Sequence, residues 1–365
     1  MLTLSSTFAE LLVSENPLKF GAFIEGAGVD PAGNFYATHG NNITSQIAGL
    51  NGETFQLENT TLKFNGIKFV SDKVFYAVEM IENKIYKYDG TKFNVFCEHP
   101  DGPNGMSNDL VLHGSAIYIS GNKYNSEGTD KDGQVWMCDM AGQATVLDTM
   151  GRTNGIAINP EGTFLYVTEA YNKAFVPITN KIWKYPITSA QTTGNQLKKR
   201  AYSGKCSKPK PEPITPSPPA EESQILAPPA GESEIPIGGT PVPLPSVVSG
   251  IDVAGKTLVY EYTDMAEFTQ VDLDGMRFDV EGNLYCTRNG GSSISVFDKS
   301  DKLVDTITTT LSKITNLEII NKVIYTTVAC TEEYGVGSGC VETFPAKAEG
   351  DIYTKLKAGA YESFV

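Results

Sequence analysis

The sequence predicts an all-β protein, a six-bladed β-propeller with a proline-rich insertion between blades 4 and 5. A segment that contains two short strands occurs six times, and successive segments begin 40, 43, 46, 120 and 42 residues apart. Four of these spacings equal the length of a four-stranded propeller blade. No stretch with helical periodicity is long enough to cover a parallel sheet, which favours a fold closed by radial repetition.

Each of the six segments begins with a polar residue and ends in an aromatic strand, with a turn between them. The segments are EGAGVDPAGNFYAT from Glu25, NGIKFVSDKVFYAV from Asn65, NDLVLHGSAIYIS from Asn108, NGIAINPEGTFLYVTE from Asn154, DGMRFDVEGNLYCT from Asp274 and NLEIINKVIYTTV from Asn316. The second repeat continues as NKIYKYDG and KFNVFCE, and the fifth as SSISVFDKS and KLVDTITT, which predicts two more strands in each. We expect SSTFAELLV and GDIYTKL, near the two ends, to close the ring, so that residues 1–365 form a single domain.

The spacing of 120 residues leaves roughly 77 residues more than a blade needs. Residues 205–249 account for much of this surplus and hold 12 of the 20 prolines. Such a composition does not form a strand ladder or a packed core, so this stretch is predicted to be an extended or disordered surface loop. Because it precedes the strand that begins at Asp274, we expect it to emerge on the face where the repeats begin. It is either a solvated loop without a role, which its composition favours, or a lid.

Composition excludes several classes of partner. The chain carries 29 basic and 43 acidic residues, a net charge of −14, which argues against nucleic acid. Its start lacks a basic segment and no apolar run is long enough for a membrane span, so we expect a cytoplasmic protein without a membrane partner. A closed propeller is usually self-sufficient, so a monomer that binds a small molecule is expected. The six cysteines lack a CxxC pair and are predicted to be free thiols, although Cys330 and Cys340 could pair in an oxidising compartment.

The first residues of the six repeats are predicted to form a ring, because the innermost strands of a propeller line its channel. Any one of them is also typical of a turn. Together they form a set of oxygen donors without Lys or Arg, and two of them are acids that would repel each other in a narrow channel. A hard divalent cation relieves this repulsion, Ca²⁺ first and Mg²⁺ or Mn²⁺ next. The residues are Glu25, Asn65, Asn108, Asn154, Asp274 and Asn316.

Four motifs resemble those of the senescence-marker-protein and gluconolactonase superfamily, which includes regucalcin-like lactonases and is related to diisopropyl fluorophosphatase. They are EGAGVD at Glu25, SNDLVL around Asn108, TNGIAINPEGTFLYVTE around Asn154 and LDGMRFDVEGNLYCTRNGGSSISVFD around Asp274. The resemblance implies that these four residues bind the catalytic divalent metal and that Asp274 is also the base or nucleophile. Asn65 and Asn316 remain as candidates for contact with the substrate.

Three positions affect how the family's functional residues are assigned to this sequence. In NGMSND both Asn104 and Asn108 are candidate ligands, and the distance to the strand tyrosine favours Asn108. His39 stands where the family commonly has an aspartate, and we predict that it is a packing residue. Glu318 stands where the phosphatase branch tends to have a histidine, which argues against that branch's activity.

The first functional hypothesis is a metal-dependent hydrolase of a lactone or related ester, in which water attacks a carbonyl polarised by the metal and Asp274 is the base. The sequence has no GxSxG elbow, HExxH motif or P-loop, which disfavours other hydrolytic chemistries. The alternative is a non-hydrolytic propeller that uses the same pocket to bind a small molecule, or as an isomerase or condensation enzyme.

Overall fold

The computed structural model describes residues 10–12, 20–21, 24–40, 45–57, 62–123, 125–174, 176–188, 250–263, 271–330 and 339–365. Within these residues the strands form six antiparallel sheets, and the chain is the predicted six-bladed β-propeller. The first strand in the chain is β1 (Glu10–Leu12), which belongs to blade 6.

Blades 1 to 3 follow one another along the chain, and each contains four strands in sequence order. Blade 1 has β2 (Ala27–Val29), β3 (Phe35–Gly40), β4 (Ser45–Gly49) and β5 (Thr54–Gln56). Blade 2 has β6 (Phe64–Phe69), β7 (Val74–Glu79), β8 (Lys84–Asp89) and β9 (Phe93–Glu98). A short 3-10 turn (Gly102–Asn104) leads to blade 3, which has β10 (Leu110–His113), β11 (Ala116–Asn122), β12 (Gly133–Asp139) and β13 (Ala144–Met150).

Blades 4 to 6 keep this order, with an extra strand pairing in blade 4. Blade 4 has β14 (Arg152–Ile158), β15 (Phe164–Lys173) and β16 (Val176–Thr188), and β16 pairs with both β17 (Gly250–Ile251) and β18 (Thr257–Tyr262). Blade 5 has β19 (Asp272–Phe278), β20 (Leu284–Asn289), β21 (Ser293–Phe297) and β22 (Leu303–Thr308). Blade 6 has β23 (Ile314–Ile320), β24 (Val323–Ala329) and β25 (Gly339–Pro345).

The two ends of the chain meet in blade 6. Strand β1 pairs antiparallel with β25 and supplies the outer strand of the blade, as predicted for the SSTFAELLV segment. The prediction that GDIYTKL is a closing strand is wrong, because these residues begin helix α1 (Asp351–Lys357). Strand β1 already supplies the fourth strand of this sheet, so the segment after β25 is not needed to close the ring.

This C-terminal segment packs against the ends of the inner strands that lie away from the repeat starts. The carbonyl oxygen of Glu349 accepts a 2.8 Å hydrogen bond from the N–H of Val280, just after β19 ends. In the following 3-10 turn (Glu362–Phe364), the carbonyl oxygen of Phe364 accepts a 2.7 Å hydrogen bond from the hydroxyl of Tyr76. The side chain of Phe364 is fully buried, so burial of apolar surface holds the segment in place.

The insertion does not lie between blades 4 and 5 as predicted. Strands β17 and β18, which follow it, pair with β16 and complete blade 4, so it interrupts blade 4 between its third and fourth strands. The N–H of Ile187 donates to the carbonyl oxygen of Thr163, in the turn after β14. The described residues on either side of it, Thr188 and Gly250, therefore pair at the edge of blade 4 that lies away from Asn154. Residues 205–249 themselves lie outside the described residues.

Cysteine pairing also differs from the prediction of free thiols. Cys97 of β9 and Cys138 of β12 form a disulfide with a Cα separation of 6.5 Å, which joins blades 2 and 3. Cys330 and Cys340 form a second disulfide with a Cα separation of 5.8 Å. Both separations lie within the range of protein disulfides. Cys286 is a buried free thiol. Among the described helices, none has both the length and the apolar character needed to span a bilayer.

Candidate functional site

Several residues that begin the repeats lie at irregularities in the innermost strands. The register of β6 shifts between Phe64 and Ile67, which places Asn65 in a bulge. The same shift occurs around Asn154 in β14 and around Asp274 in β19. A bulge bends the strand and redirects a side chain. These Asn-Gly and Asp-Gly pairs are therefore part of strands, and the turn interpretation does not apply to them.

Glu25 and Asn108 occupy equivalent positions just before β2 and β10. The N–H of Glu25 donates to the carbonyl oxygen of Thr38 at 2.9 Å, and the N–H of Asn108 donates to the carbonyl oxygen of Ser120 at 2.7 Å. Asn104 is exposed in the preceding 3-10 turn, whereas Asn108 is buried. The structure thus places Asn108 at the register of the other repeat starts, in agreement with the choice made from spacing.

Neighbouring blades approach closely at the level of these residues. A Cβ added at Gly26 would lie 2.1 Å from the carbonyl oxygen of Asn65, and one added at Gly155 would lie 2.0 Å from the carbonyl oxygen of Asp274. Real Cβ atoms do not approach a backbone oxygen so closely, so only glycine fits here. At these two places the backbone beside one repeat start packs against the backbone of the repeat start in the next blade. We call the six residues Glu25, Asn65, Asn108, Asn154, Asp274 and Asn316 the polar ring.

The two carboxylates of the polar ring are electrostatically coupled. Burial raises the pKa of Glu25 to about 8, and the negative charge of Asp109 adds to this effect. Burial, and then the charge of Glu25, raises the pKa of Asp274 well above its usual value. Asp274 is 4% exposed, and its Oδ2 accepts a 3.1 Å hydrogen bond from the Nδ2 of Asn289. Two carboxyls that repel each other, Asp274 buried and Glu25 half-buried, suit a hard dication.

The donor set fits such an ion by composition. Among the described residues there is no cluster of three or more His, Cys, Asp or Glu side chains that could hold a metal. A metal at the polar ring would accordingly use the two carboxylates together with amide oxygens, which is the chemistry that Ca²⁺ prefers. Glu25, Asn108, Asn154 and Asp274 are the residues that would hold it.

Arg152 and Asp272 lie beside the polar ring and were not identified from the sequence. Each is two residues before a polar-ring residue, on adjacent inner strands, and their side chains form an ion pair between blades 4 and 5. The positive charge of Arg152 opposes the rise in the pKa of Asp274, and the charge of Asp272 adds to it. The sequence signal for this pair is a basic and an acidic residue two positions before the polar-ring residue in two consecutive repeats. It is recognisable only once the structure shows that they pair.

Three more residues singled out from the sequence are Asn316, Asn65 and His39. Asn316 is 3% exposed, and its Nδ2 donates a 3.1 Å hydrogen bond to the Oδ2 of Asp109. Asn65 is also buried. His39 packs edge-on against Phe20, its Nδ1 accepts a 2.8 Å hydrogen bond from Gly21, and burial lowers its pKa to about 4. These contacts agree with the predicted packing role of His39.

Four charged side chains meet inside the channel, and each is at most 2% exposed. The Nε of Arg277 lies 3.1 Å from the Oε2 of Glu318, and its Nη1 lies 3.5 Å from the Oδ2 of Asp109. The Nζ of Lys68 lies 4.0 Å from the Oε2 of Glu318. We call Lys68, Asp109, Arg277 and Glu318 the channel charge cluster. Its two positive and two negative side chains come from blades 2, 3, 5 and 6.

Three members of the channel charge cluster share one register. Lys68 pairs with Tyr76, Arg277 with Tyr285 and Glu318 with Tyr325, each in the second strand of its blade. The same position in the other blades is Gly28, Val111 and Ala157, opposite Tyr36, Tyr118 and Tyr166. A basic residue three positions after the polar ring, in NGIKF and DGMRF, was the signal that sequence reasoning missed.

Comparison with known proteins agrees with this architecture. Residues 61–205 match the family described as "SMP-30/Gluconolactonase/LRE-like region". Among curated proteins no sequence matches significantly. The fold is similar to that of regucalcin, a calcium-binding protein from Agrobacterium tumefaciens, with a TM-score of 0.57, 15% identity and coverage of 94% of this chain and 96% of that one.

Two further solved structures have the same fold. A gluconolactonase from Xanthomonas campestris has a TM-score of 0.54 and 13% identity over 90% of this chain and 87% of its own. A luciferin-regenerating enzyme has a TM-score of 0.59 and 12% identity over 94% of this chain and 98% of its own. At such identities the likeness concerns the fold alone. The family match covers residues 61–205 and agrees with the superfamily resemblance of the repeat motifs.

Proposed function

We propose that the protein is a divalent-metal-dependent hydrolase of a lactone or a related ester. Glu25, Asn108, Asn154 and Asp274 hold the metal, with Ca²⁺ preferred and Mg²⁺ or Mn²⁺ as substitutes. The substrate is a small molecule, and the protein acts as a monomer. The family match supports a lactonase-type role, and the chemistry of the polar ring supports the choice of ion.

The observation that carries the proposal is the coupling of Glu25 and Asp274. Each carboxyl is costly to ionise where it stands, because burial and nearby negative charge raise its pKa. A protein scaffold without a cation gains nothing from two such groups at the mouth of a channel. A bound dication compensates both charges, which gives the pair a function.

The side chains around the metal position have distinct roles in the proposed reaction. A bound dication would polarise the carbonyl oxygen of the lactone. Asp274 is the proposed base that accepts the proton of the attacking water. Asn289 holds one oxygen of Asp274 through a 3.1 Å hydrogen bond, which orients the other oxygen. Asn65 and Asn316 are retained as candidates for contact with the substrate.

The proposal is tested by two measurements on the full chain. Calorimetric titration with Ca²⁺ after treatment with chelator should show one site, and Asp274→Ala should abolish it. A panel of sugar-acid, aromatic and aliphatic lactones, assayed with and without chelator, should contain a substrate whose hydrolysis requires the metal. Glu281→Ala is a matched control, since Glu281 is an exposed acid beyond the far end of β19.

The outcomes separate the proposal from its alternative. Metal binding without hydrolysis of any lactone would favour a non-hydrolytic propeller that uses the same pocket. Hydrolysis that survives chelation and Asp274→Ala would contradict the proposed mechanism, because both the metal and the base would then be dispensable. Absence of metal binding would contradict the assignment of the polar ring.

A further inference from the structure

Asp109 connects the channel charge cluster to the polar ring. It follows Asn108 directly, and its Oδ2 accepts the hydrogen bond from Asn316 while facing Nη1 of Arg277. A Cβ added at Gly66 would lie 2.3 Å from the Oδ1 of Asp109. The carboxylate therefore occupies the space beside Gly66 that a side chain would otherwise need. One carboxylate thus contacts blades 2, 5 and 6 from its place in blade 3.

The backbone of Asp109 is tied to a second polar-ring residue. The N–H of Asp109 donates a 3.2 Å hydrogen bond to the hydroxyl oxygen of Ser120. The same hydroxyl group donates a hydrogen bond to the carbonyl oxygen of Asn154. Asp109 is 1% exposed and has a carboxylate that cannot turn to solvent. Any shift of this residue would move Asn108, Asn154 and Asn316 together.

The carboxylate of Asp109 faces a cation, because the Nη1 of Arg277 lies 3.5 Å from its Oδ2. Arg277 is itself fixed by Glu318 and by the carbonyl oxygen of Ala27, 3.1 Å from its Nη2. Paired in this way, the four buried charges avoid the large cost of an isolated ion.

We propose that Asp109 is a positioning residue for the metal, held in place by Arg277 and holding the polar ring through Asn316 and Ser120. This inference rests on the proposed function, because it assumes a cation at the polar ring. Glu318 serves as its structural counterpart, since it balances the same two cations but has no hydrogen bond to a polar-ring residue among its described contacts. The two acids should therefore differ in their effect on metal affinity and resemble each other in their effect on stability.

The test compares Asp109→Asn with Glu318→Gln in the full chain. Both variants leave Arg277 and Lys68 partly unbalanced, so both should lower the thermal unfolding temperature measured in chelator. Asp109→Asn should also weaken Ca²⁺ affinity, measured by calorimetry well below that temperature, by about 10-fold or more, as is usual for residues that support metal ligands. Glu318→Gln should change the affinity by less than about 3-fold.

A double variant separates positioning from loss of stability. Asp109→Asn combined with Arg277→Met leaves one cation and one anion in the cluster, so the unfolding temperature should recover at least partly from that of the single variant. Ca²⁺ affinity should stay about 10-fold low, since the carboxylate that holds Asn316 is still missing. Recovery of affinity along with stability would overturn the proposal, and so would equal affinities for Asp109→Asn and Glu318→Gln. If the unchanged protein binds no Ca²⁺, the proposed function itself fails, which is a distinct result.

Discussion

The backbone N–H of Gly66 donates a 3.0 Å hydrogen bond to the carbonyl oxygen of Asn108. The glycine after one polar-ring residue therefore holds the backbone of the next polar-ring residue along the chain. Contacts of this type fix the polar ring from blade to blade, independently of any bound ion. Four of its six members are followed by glycine, and the added Cβ would collide with the neighbouring blade at each of them.

Gly155→Ala should loosen the polar ring. The new methyl group would lie 2.0 Å from the carbonyl oxygen of Asp274, a backbone atom that cannot rotate away. We expect the free energy of unfolding to fall by about 1–3 kcal/mol, as for other overpacked sites. Chemical denaturation measures this change. Gly250→Ala is the control, because its Cβ would meet only the hydroxyl of Thr188 at an ordinary 3.6 Å. Equal losses in the two variants would argue against close packing at the polar ring.

Asp274→Asn should reduce Ca²⁺ affinity by roughly 100-fold or more, because the loss of a charged ligand should exceed the effect of losing its supporting residue. Asn289→Ala removes only the hydrogen bond to Asp274, so its effect should be smaller, about 10-fold. Calorimetry on both variants gives the order directly. A larger effect for Asn289→Ala than for Asp274→Asn would be inconsistent with Asp274 as a ligand.

Metal binding should become tighter as pH rises. Burial raises the pKa of Glu25 to about 8, and the pKa of Asp274 is also raised, so metal-free protein holds protons on this pair that the ion must displace. Ca²⁺ affinity should increase up to about pH 8. Titrations in buffers with different ionisation enthalpies would detect the released protons. Affinity that is flat between pH 6 and pH 8, with no proton release, would contradict this linkage.

The same pair makes the stability of the metal-free protein depend on pH. Glu25 binds its proton more tightly in the folded chain than at the usual value of 4.5, so the folded state holds more protons than the unfolded state up to about pH 8. This contribution to stability is fully present below pH 4.5 and is lost as pH rises through 8. Thermal unfolding in chelator should show the decline relative to Glu25→Gln. Ca²⁺ should reverse it.

The disulfide between Cys97 and Cys138 should stabilise the oxidised protein. It closes a loop of 41 residues between adjacent blades, for which about 2–4 kcal/mol is typical. Cys97→Ser should therefore lower the free energy of unfolding in oxidising buffer and make little difference relative to the unchanged protein in reducing buffer. Peptide mapping without reduction identifies the pair. A disulfide-bonded protein would favour an oxidising compartment over the predicted cytoplasm.

The six-bladed architecture could be predicted because the same pattern of residues occurs in six repeats of the sequence. Polar starts such as Asn154 and Asp274 recur with an aromatic strand at a nearly fixed distance, and repetition averages out the ambiguity of any single segment. The position of the insertion could not be predicted in the same way. Residues 250–262 have no counterpart in the six repeat segments, so the repeats did not indicate that the fourth strand of blade 4 follows the insertion.

The channel charge cluster escaped prediction for a different reason. Lys68 and Arg277 lie in strands whose other residues are mostly apolar, and their charges are neutralised by residues 41 and more positions away in sequence. Pairing at that distance depends on how the blades close around the channel. Helix α1 was likewise missed, because GDIYTKL is short and its Ile, Tyr and Thr are residues that favour strands. Only the completed sheet of blade 6 excludes that pairing.

One tyrosine in the second strand of each blade pairs with an inner-strand residue at the same register. The six tyrosines are Tyr36, Tyr76, Tyr118, Tyr166, Tyr285 and Tyr325. Once they are located in a sequence, the inner-strand residue opposite each one can be identified. In a homologous sequence, the six inner-strand residues found this way would show whether the channel carries balanced charges, apolar side chains or an excess of one charge at this register.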